Sequence, residues 1–346
     1  MNDNNRQPLI GMTLDELREV AASCGLPGFA AKQIADWLYV KRVDSIDAMT
    51  NISLKGRERL SASYRVGRFA PKAAARSVDG TVKYLFDGKG GRDIEAVYIP
   101  DRDRATLCVS SQAGCRMGCR FCMTGHGGFQ GNLTTAGIMN QILSVEESDS
   151  LTNIVFMGMG EPLDNLDAVI PAIEILTAPW GFAWSPKRIT VSTVGASLTA
   201  LERLLDTTKV HLAVSLHNPF TAARAAIMPA ERALPATRLL ESLRSRDWSG
   251  QRRLSVEYIM WKGVNDDLRH SEALARLLRG LDVRVNLIRY HATPMFEGQP
   301  PTRQTMEAFR DHLNARGITA TIRASRGEDI AAACGMLAGA GKTEKS

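Results

Sequence analysis

From Ala105 onward, short apolar runs alternate with stretches of helix length, and this alternation constrains the fold more than any other feature of the chain. The runs are Thr106-Leu-Cys-Val-Ser110, Asn153-Ile-Val-Phe156, Arg188-Ile-Thr-Val-Ser192, His211-Leu-Ala-Val-Ser215, Leu254-Ser-Val-Glu-Tyr-Ile259 and Arg284-Val-Asn-Leu-Ile288. Runs this short, bounded by polar residues, read as strands, and connections long enough for a helix let successive strands lie parallel. Six of them imply an α/β protein with a parallel sheet, either open and doubly wound or curved into a barrel; periodicity does not choose between the two. Ala320-Thr-Ile-Arg323 is a candidate for one further strand.

Two segments precede this core. Leu14, Leu17 and Val20 share one helical face, Gly25-Leu-Pro-Gly28 breaks the chain, and Ile34, Trp37 and Leu38 stripe a second helix from Ala30 to about Lys41. Lys55, Arg57, Arg59, Arg65 and Arg68 then make a basic stretch that reads equally as a solvated helix face or as a patch for RNA phosphates. Between about Lys72 and Pro100, Thr81-Val-Lys-Tyr-Leu-Phe86 alternates, Asp87-Gly-Lys-Gly-Gly91 turns and Asp93 to Ile99 returns, which is a β-hairpin pattern. The expected organisation is a helical, RNA-binding N-terminal accessory domain (1–70), a hairpin linker (71–104), the α/β core (105–338) and a C-terminal tail (339–346). The tail's Gly339-Ala-Gly-Lys-Thr343 lacks the earlier glycine and the following helix of a phosphate loop.

Chemistry concentrates in Cys115, Cys119 and Cys122, spaced C-x3-C-x2-C just after the first core strand. Thiolates ligate zinc and iron–sulfur clusters, and both sites are usually completed by a fourth protein ligand. No fourth cysteine lies nearby, so a four-iron cube held here would keep one iron open, as catalytic metals do for substrate. His126 leaves a Cys3His zinc site as the competing reading. In parallel α/β folds, ligands bind beyond the C-terminal ends of the strands, and several polar or glycine-rich motifs fall there. Gly158-Met-Gly-Glu-Pro162 offers close backbone approach and a carboxylate suited to an ammonium group, while Ser192, Ser215, His217 and His291 occupy further strand ends.

Composition limits the setting. With 346 residues and 44% hydrophobic content the chain can bury a large core, and it has no run of eighteen apolar residues and no signal-like N-terminus. A cytosolic protein is expected, in which six cysteines are free, metal-bound or catalytic. A net charge of +6 and a pI near 9.1 suit a polyanionic partner without proving one. No coiled-coil pattern is present, so a monomer is expected.

Cys108-Val-Ser-Ser-Gln112, the cysteine triad, Phe156-Met-Gly-Met-Gly-Glu-Pro162, Ser215-Leu-His217, Gly263-Val-Asn-Asp266, Val285-Asn-Leu-Ile288 and Ala332-Ala-Cys-Gly335 follow one another in this order. Over nearly its whole length the chain resembles the RlmN/Cfr family of radical S-adenosylmethionine (SAM) RNA methyltransferases, its RlmN branch above all. The resemblance implies a partial (βα)6 barrel behind a small helical domain. It implies one [4Fe-4S] cluster on Cys115, Cys119 and Cys122, with SAM on the open iron. SAM contacts fall at Gly160, Glu161, Ser192, Ser215, Leu216, His217 and His291, where asparagine is the usual family residue at the last position.

The same resemblance makes Cys334 the residue that receives a methyl group from one SAM, before a second SAM generates a radical that activates it. The activated methyl adds to C2 of an adenosine, in the peptidyl-transferase region of 23S rRNA or beside the anticodon in a subset of tRNAs. Cys108 then resolves the adduct through a disulfide, Glu95 takes the C2 proton, and a thiol reductant resets the pair. An electron donor such as flavodoxin is implied, and no membrane. Lys187, Arg188, Arg252, Arg253, Arg323 and Arg326 are candidates for a basic rim facing RNA. Two other readings stay open: methylation at C8, as in the Cfr branch, and a zinc-stabilised RNA-binding protein without catalysis. Cys24 has no assigned role.

Overall fold

The computed structural model describes residues 6–88, 91, 93–248, 250 and 252–338. Its main sheet begins with three antiparallel strands, β1 (Ala73–Arg76), β2 (Val82–Phe86) and β3 (Ile94–Asp101), which lead into β4 (Arg104–Cys108). From β4 the sheet continues parallel through β5 (Asn153–Phe156), β6 (Ile189–Thr193), β7 (His211–Ser215), β8 (Leu254–Met260), β9 (Val283–Arg289) and β10 (Thr319–Ile322). The spatial order is the chain order from β1 to β10. A doubly wound sheet would reverse that order at a switch point, so the monotonic order selects the partial-barrel winding that periodicity left open. The further strand at 319–322 does form, and it makes the parallel part seven strands.

The β element expected as a linker is an integral part of this sheet, because β3 pairs with β4 from Val97↔Cys108 to Asp101↔Arg104. Alternation in a hairpin specifies which residues face a core but not whether a third strand lies alongside. β8 is buried along its whole length, as a parallel strand covered on both faces must be.

Contacts group the chain into two compact units. The first comprises Met1–Pro71, Leu133–Ser150 and Asp167–Ser185; the second comprises Lys72–Asn132, Leu151–Leu166 and Pro186–Ser346. In the first unit, α1 (Leu14–Ser23) starts at a capping box in which Thr13 and Glu16 satisfy each other's exposed backbone. It is followed by α2 (Ala30–Ala35) and α3 (Leu54–Ser63), and it includes α4 (Thr135–Ser144) and most of α5 (Leu166–Thr177). Here Asn140 clasps the backbone of Phe69 from both sides, at 2.9 and 3.1 Å. Arg68 donates to the carbonyls of Arg42 and Leu143, Arg57 to that of Asp47, and Arg65 to that of Arg6. Much of the basic stretch is therefore spent on its own unit's backbone.

The second unit carries α6 (Leu198–Thr207), α7 (Thr221–Ile227), α8 (Ala236–Arg244), α9 (Leu268–Leu278) and α10 (Arg303–Asn314) between its strands. Among the described residues, no helix is long and apolar enough to cross a membrane. The tail at 339–346 lies outside the described residues.

Candidate active site

The loops that follow β4, β5, β6 and β7, together with the segment after β10, line one cavity that opens to solvent. Cys115, Cys119 and Cys122 face it from the first loop, Gly160 and Glu161 from the second, and Ser192, Ser215 and His217 from the next two. Cys334 lines it from the C-terminal segment. Leu216 and His291 are not among its lining residues. Leu216 is in the core, its N–H donating to Glu257 O at 3.1 Å, and His291 is buried with Nδ1 3.3 Å from Glu328 Oε1.

The cysteine loop is closed by its own backbone. Cys115 N–H donates to Gly128 O and Cys122 N–H to Cys119 O, each at 3.1 Å. Gly114 has φ +70° and sits so close to Gly128 that an added Cβ would lie 1.8 Å from the carbonyl oxygen, so only glycine serves there. Burial, with help from the neighbouring thiols and carboxylates, pushes the Cys115 thiol up to about 12 and Cys119 higher still. Thiols so disposed become ligands only when a cationic centre replaces their protons, which is what a soft metal cluster does. Among the described residues, no three His, Cys, Asp or Glu side chains converge as the ligands of a single ion must. His126 instead places Nε2 2.7 Å from Arg120 O. Three thiols facing one cavity, with His126 turned to a backbone carbonyl, fit a multi-iron cluster better than a Cys3His zinc ion.

Glu161 is 2% exposed and organises the next two strand ends. Its carboxylate accepts from Thr193 Oγ1 at 2.6 Å, Val194 N at 3.0 Å and Leu163 N at 3.1 Å. Burial outweighs these bonds and raises its pKa to about 7. Gln112 Oε1 accepts from Glu161 N at 2.9 Å, and Gly160, at φ +101°, leaves no room for a Cβ against the Gln112 side chain. Ser192 Oγ and Ser215 Oγ lie 3.4 Å apart on neighbouring strands.

His217 sits in the left-handed region at φ +58°, inside a tight turn closed by Asn218 N–H to Leu216 O at 2.7 Å. A non-glycine residue held there is strained, and such strain persists where neighbours over-determine it. The neighbours are Ile259 N–H, donating to His217 Nδ1 at 3.0 Å, and Asn265 Nδ2, donating to His217 O at 2.7 Å. Because Nδ1 accepts, the neutral ring carries its proton on Nε2. Burial, and then the Arg224 charge, lower its pKa to about 3.

Cys334 is reachable by solvent through the cavity mouth, yet protein crowds it, and that desolvation raises its thiol pKa against the opposing pull of Arg323. Its segment is pinned to the cysteine loop, where Met123 N–H donates to Gly335 O at 2.8 Å and Thr124 Oγ1 to Leu337 O at 2.6 Å. Cys108, buried on β4, is pushed up to about 12 by burial and then by the Cys334 charge. Cys108 is not among the residues that line the cavity.

Glu95 opens on a neighbouring, largely apolar cavity with Lys83, Met123, Met336 and Ala338. Lys83 Nζ is 3.2 Å from Oε1, and Ala338 N–H donates to Oε2 at 2.8 Å.

Sequence reasoning missed Glu257, Arg224 and Gln112, and misjudged the basic rim. Glu257 lines the main cavity from the middle of β8, with Oε1 accepting from Ser255 Oγ and Asn286 Nδ2 and Oε2 3.6 Å from Arg323 Nη1. A carboxylate in the middle of a mostly apolar strand was the available signal. Lys187 and Arg188 precede β6, and Arg252 and Arg253 precede β8, so all four lie at the N-terminal ends of strands, away from the cavity. Arg323 and Arg326 follow β10 at the end that bears the cavity, and Arg323 lines it.

A partial parallel barrel with a three-cysteine loop after its first parallel strand and a glycine–glutamate turn after its second defines a radical SAM protein. Residues 109–275 match the radical SAM superfamily model, and residues 7–66 match the ribosomal RNA large subunit methyltransferase N-terminal domain. A crystal structure of a radical SAM methyltransferase from Sphaerobacter thermophilus is similar with a TM-score of 0.89 and 39% identity, over 96% of this chain and 99% of that one. The chain is 56% identical over 341 residues, 99% of each chain, to a protein of Bacteroides fragilis named as an RlmN dual-specificity RNA methyltransferase. A dual-specificity RNA methyltransferase RlmN of Syntrophotalea carbinolica is 40% identical over 98% of this chain and 91% of its own length. The chain belongs to the RlmN family. Membership implies a [4Fe-4S] cluster and SAM, and the cavity's donor set fits both.

Proposed function

We propose that the protein is a cytoplasmic radical SAM methyltransferase that methylates C2 of adenosine in the peptidyl-transferase region of 23S rRNA and in the anticodon loop of a subset of tRNAs. The observation that carries this reading is one cavity lined at once by the cysteine triad, the Glu161 turn and Cys334. Cys115, Cys119 and Cys122 would hold the cluster, and Gly160, Glu161, Ser192, Ser215 and His217 would surround SAM. When bound, the pair supplies a methyl group for a thiolate and a one-electron route to hydrogen abstraction.

The chain's own residues do the rest. C2 of adenine is electron-poor, so the methyl carbon is carried by Cys334 instead of being attacked directly by the base. Arg323, whose guanidinium charge is favoured by Cys334 and Glu257 against the cost of its burial, stabilises the Cys334 thiolate. Once carbon bridges C2 and the Cys334 sulfur, the bridged adduct gives one electron back along that one-electron route and its C2 proton to Glu95, which exchanges its Ala338 contact for the substrate. Cys108 thiolate attacks the Cys334 sulfur; the carbon–sulfur bond then breaks with its electron pair staying on carbon, the disulfide forms, and the freed carbon takes up a proton to become the methyl group. An external dithiol returns both cysteines to thiols. Leu216 and His291 support the site from outside the cavity wall.

Mass spectrometry of nucleosides tests the reading, using 23S rRNA and tRNA from a host without its own adenine C2 methylase. Expression of the wild-type protein yields 2-methyladenosine in both RNAs, and Cys334→Ala yields none while retaining its iron. Methylated product from that variant, or 8-methyladenosine from the wild type, would reject the assignment.

A further inference from the structure

Arg224 is an arginine at 0% exposure whose guanidinium is bonded to three carbonyls at the ends of strands and to one carboxylate. Nε donates to Leu216 O at 3.0 Å, and Nη2 donates to Val194 O at 2.9 Å and Ser215 O at 3.0 Å. Nη1 pairs with Glu231, whose Oε2 also accepts from Ala236 N at 2.9 Å. One guanidinium thus gathers three carbonyls from the C-terminal ends of β6 and β7. The turns that these carbonyls belong to carry Ser192, Ser215 and the strained His217. A bidentate fork can do this because its donors are fixed in one plane, whereas an ammonium offers a single point.

The element bearing Arg224 also reaches the cysteine loop. Ile227 O, at the end of α7, accepts from Arg120 N at 2.9 Å, and Met228 packs in one buried cluster with Cys119, Phe121, Ile259 and Trp261. A buried ion pair of this kind is poor evidence for stability, since a well-packed apolar pair of similar volume often serves as well. Its geometry calls for another explanation.

We infer that Arg224 is a positioning residue for SAM: held by Glu231, it clamps the β6 and β7 strand ends in the conformation that binds SAM and ties them to the cysteine loop. The inference rests on the enzymatic reading above and extends it to a residue that does not line the cavity.

The test uses cluster-loaded protein prepared without oxygen and reads three quantities: SAM dissociation constant, melting temperature, and the change that SAM causes in the electron paramagnetic resonance spectrum of the reduced cluster. R224K keeps a charge beside Glu231 and so keeps a foldable chain, while R224M/E231M removes both charges at similar volume. Leu204→Ala, in the buried face of α6, is a control that lowers melting temperature without touching the strand-end carbonyls. The expected result is a SAM dissociation constant raised at least tenfold in R224K, with iron content retained and the SAM-induced spectral change weakened at saturating SAM. Leu204→Ala keeps wild-type SAM binding, and R224M/E231M follows R224K.

SAM affinity within twofold of wild type in R224K would overturn the inference. So would an equal loss in Leu204→Ala, which would make the effect one of general stability. Failure of the wild-type holoprotein to bind SAM at all would overturn the enzymatic reading, and this inference with it.

Discussion

The two ends of strands β6 to β9 are built from opposite chemistry. Toward their C-terminal ends, on the side of the cavity, the polar groups are buried and multiply bonded: His217 after β7, Glu257 in the middle of β8, Glu161 in the loop after the neighbouring β5 and, behind them, Arg224. At their N-terminal ends lies the greater density of charge, in Lys187, His211, Arg252, Arg253, Arg284 and Asp282 around a polar cleft. There the bonds are of the ordinary surface kind. Arg252 Nη2 donates to Leu205 O at 2.6 Å, and Arg253 N–H donates to His211 Nδ1 at 2.9 Å. Charge density marks the wrong end of the barrel. What distinguishes the working end is polar groups retained at the cost of desolvation, which a fold keeps only where something must be held in place.

The largest effect that should separate the two ends comes from Glu161→Gln. The carboxylate accepts three bonds, from Thr193, Val194 and Leu163, and an amide must turn its NH2 toward at least one of those donors. Leaving a buried donor unmatched costs about 1–3 kcal/mol. Urea denaturation should show a loss of that size, and equilibrium dialysis of the cluster-loaded variant should show SAM binding weakened by more than tenfold. Wild-type values in both measurements would mean that this turn is an ordinary βα connection, no different in kind from the loops at the opposite end.

A smaller effect should appear in the pH dependence, where two groups of the working end oppose each other. His217 in the folded protein stays neutral down to about 3, whereas the unfolded ring takes up its proton near 6.5. Between those values the unfolded chain binds more protons, so the contribution of His217 is present above pH 6.5 and is lost as pH falls toward 3. Glu161 has the opposite sign. It keeps its proton to about 7 when folded but ionises near 4.5 when unfolded, so its contribution is present below 4.5 and is lost as pH rises toward 7. The two slopes partly cancel from pH 4.5 to 6.5. His217→Asn should flatten the acid side by up to about 1.4 kcal/mol per pH unit, as read by denaturation from pH 7 to pH 4. An unchanged slope would show that the ring is solvated and not held neutral by burial.

The contrast between the ends also explains what could be read from sequence. The cysteine triad, the Glu161 turn, Ser192, Ser215 and His217 were legible because a strand period places each of them just beyond an apolar run, and position along a parallel strand carries over to position in the fold. The placement of Arg188 and Arg253 was equally open to this rule, since Arg188 heads one run and Arg253 comes just before another, and so both belong at the far end. Grouping them with Arg323 and Arg326 gave composition weight over position. Leu216 and His291 were illegible for another reason: whether a residue at a strand end turns inward or outward depends on the turn, and the left-handed conformation at His217 cannot be inferred from a histidine. Glu95 pairs with Leu85 of β2, and its surroundings depend on β3 also lying beside β4 from Val97 onward, a tertiary choice that alternation does not encode. Arg224 in Thr221-Ala-Ala-Arg-Ala-Ala-Ile227 looks like a solvated helix residue, and only its Glu231 partner and three carbonyls show otherwise.

The smallest expected effect tests the comparison from its quiet side. RNA affinity depends on salt through the number of phosphates neutralised, with a slope of about −0.9 per contact for a duplex and about −0.7 for a single strand. Arg326 follows β10 at the working end and is only loosely paired, its Nη2 being 3.6 Å from Asp101 Oδ1, so it can turn to a phosphate at little cost. Arg326→Ala should therefore reduce the slope for a substrate RNA by roughly one unit. Arg253→Ala and Arg284→Ala, at the opposite end, should leave the slope, the SAM affinity and the methylation rate at wild-type values, with stability changed by no more than about 0.5 kcal/mol. Binding titrations across a series of salt concentrations decide the matter. A slope that falls with Arg253 or Arg284 would mean that RNA wraps around the barrel to its far end, and the division of labour between the two ends would have to be abandoned. A slope that falls with Arg326 alone confines the RNA to the face where Cys334 waits, which is the geometry that an adenine entering the cavity requires.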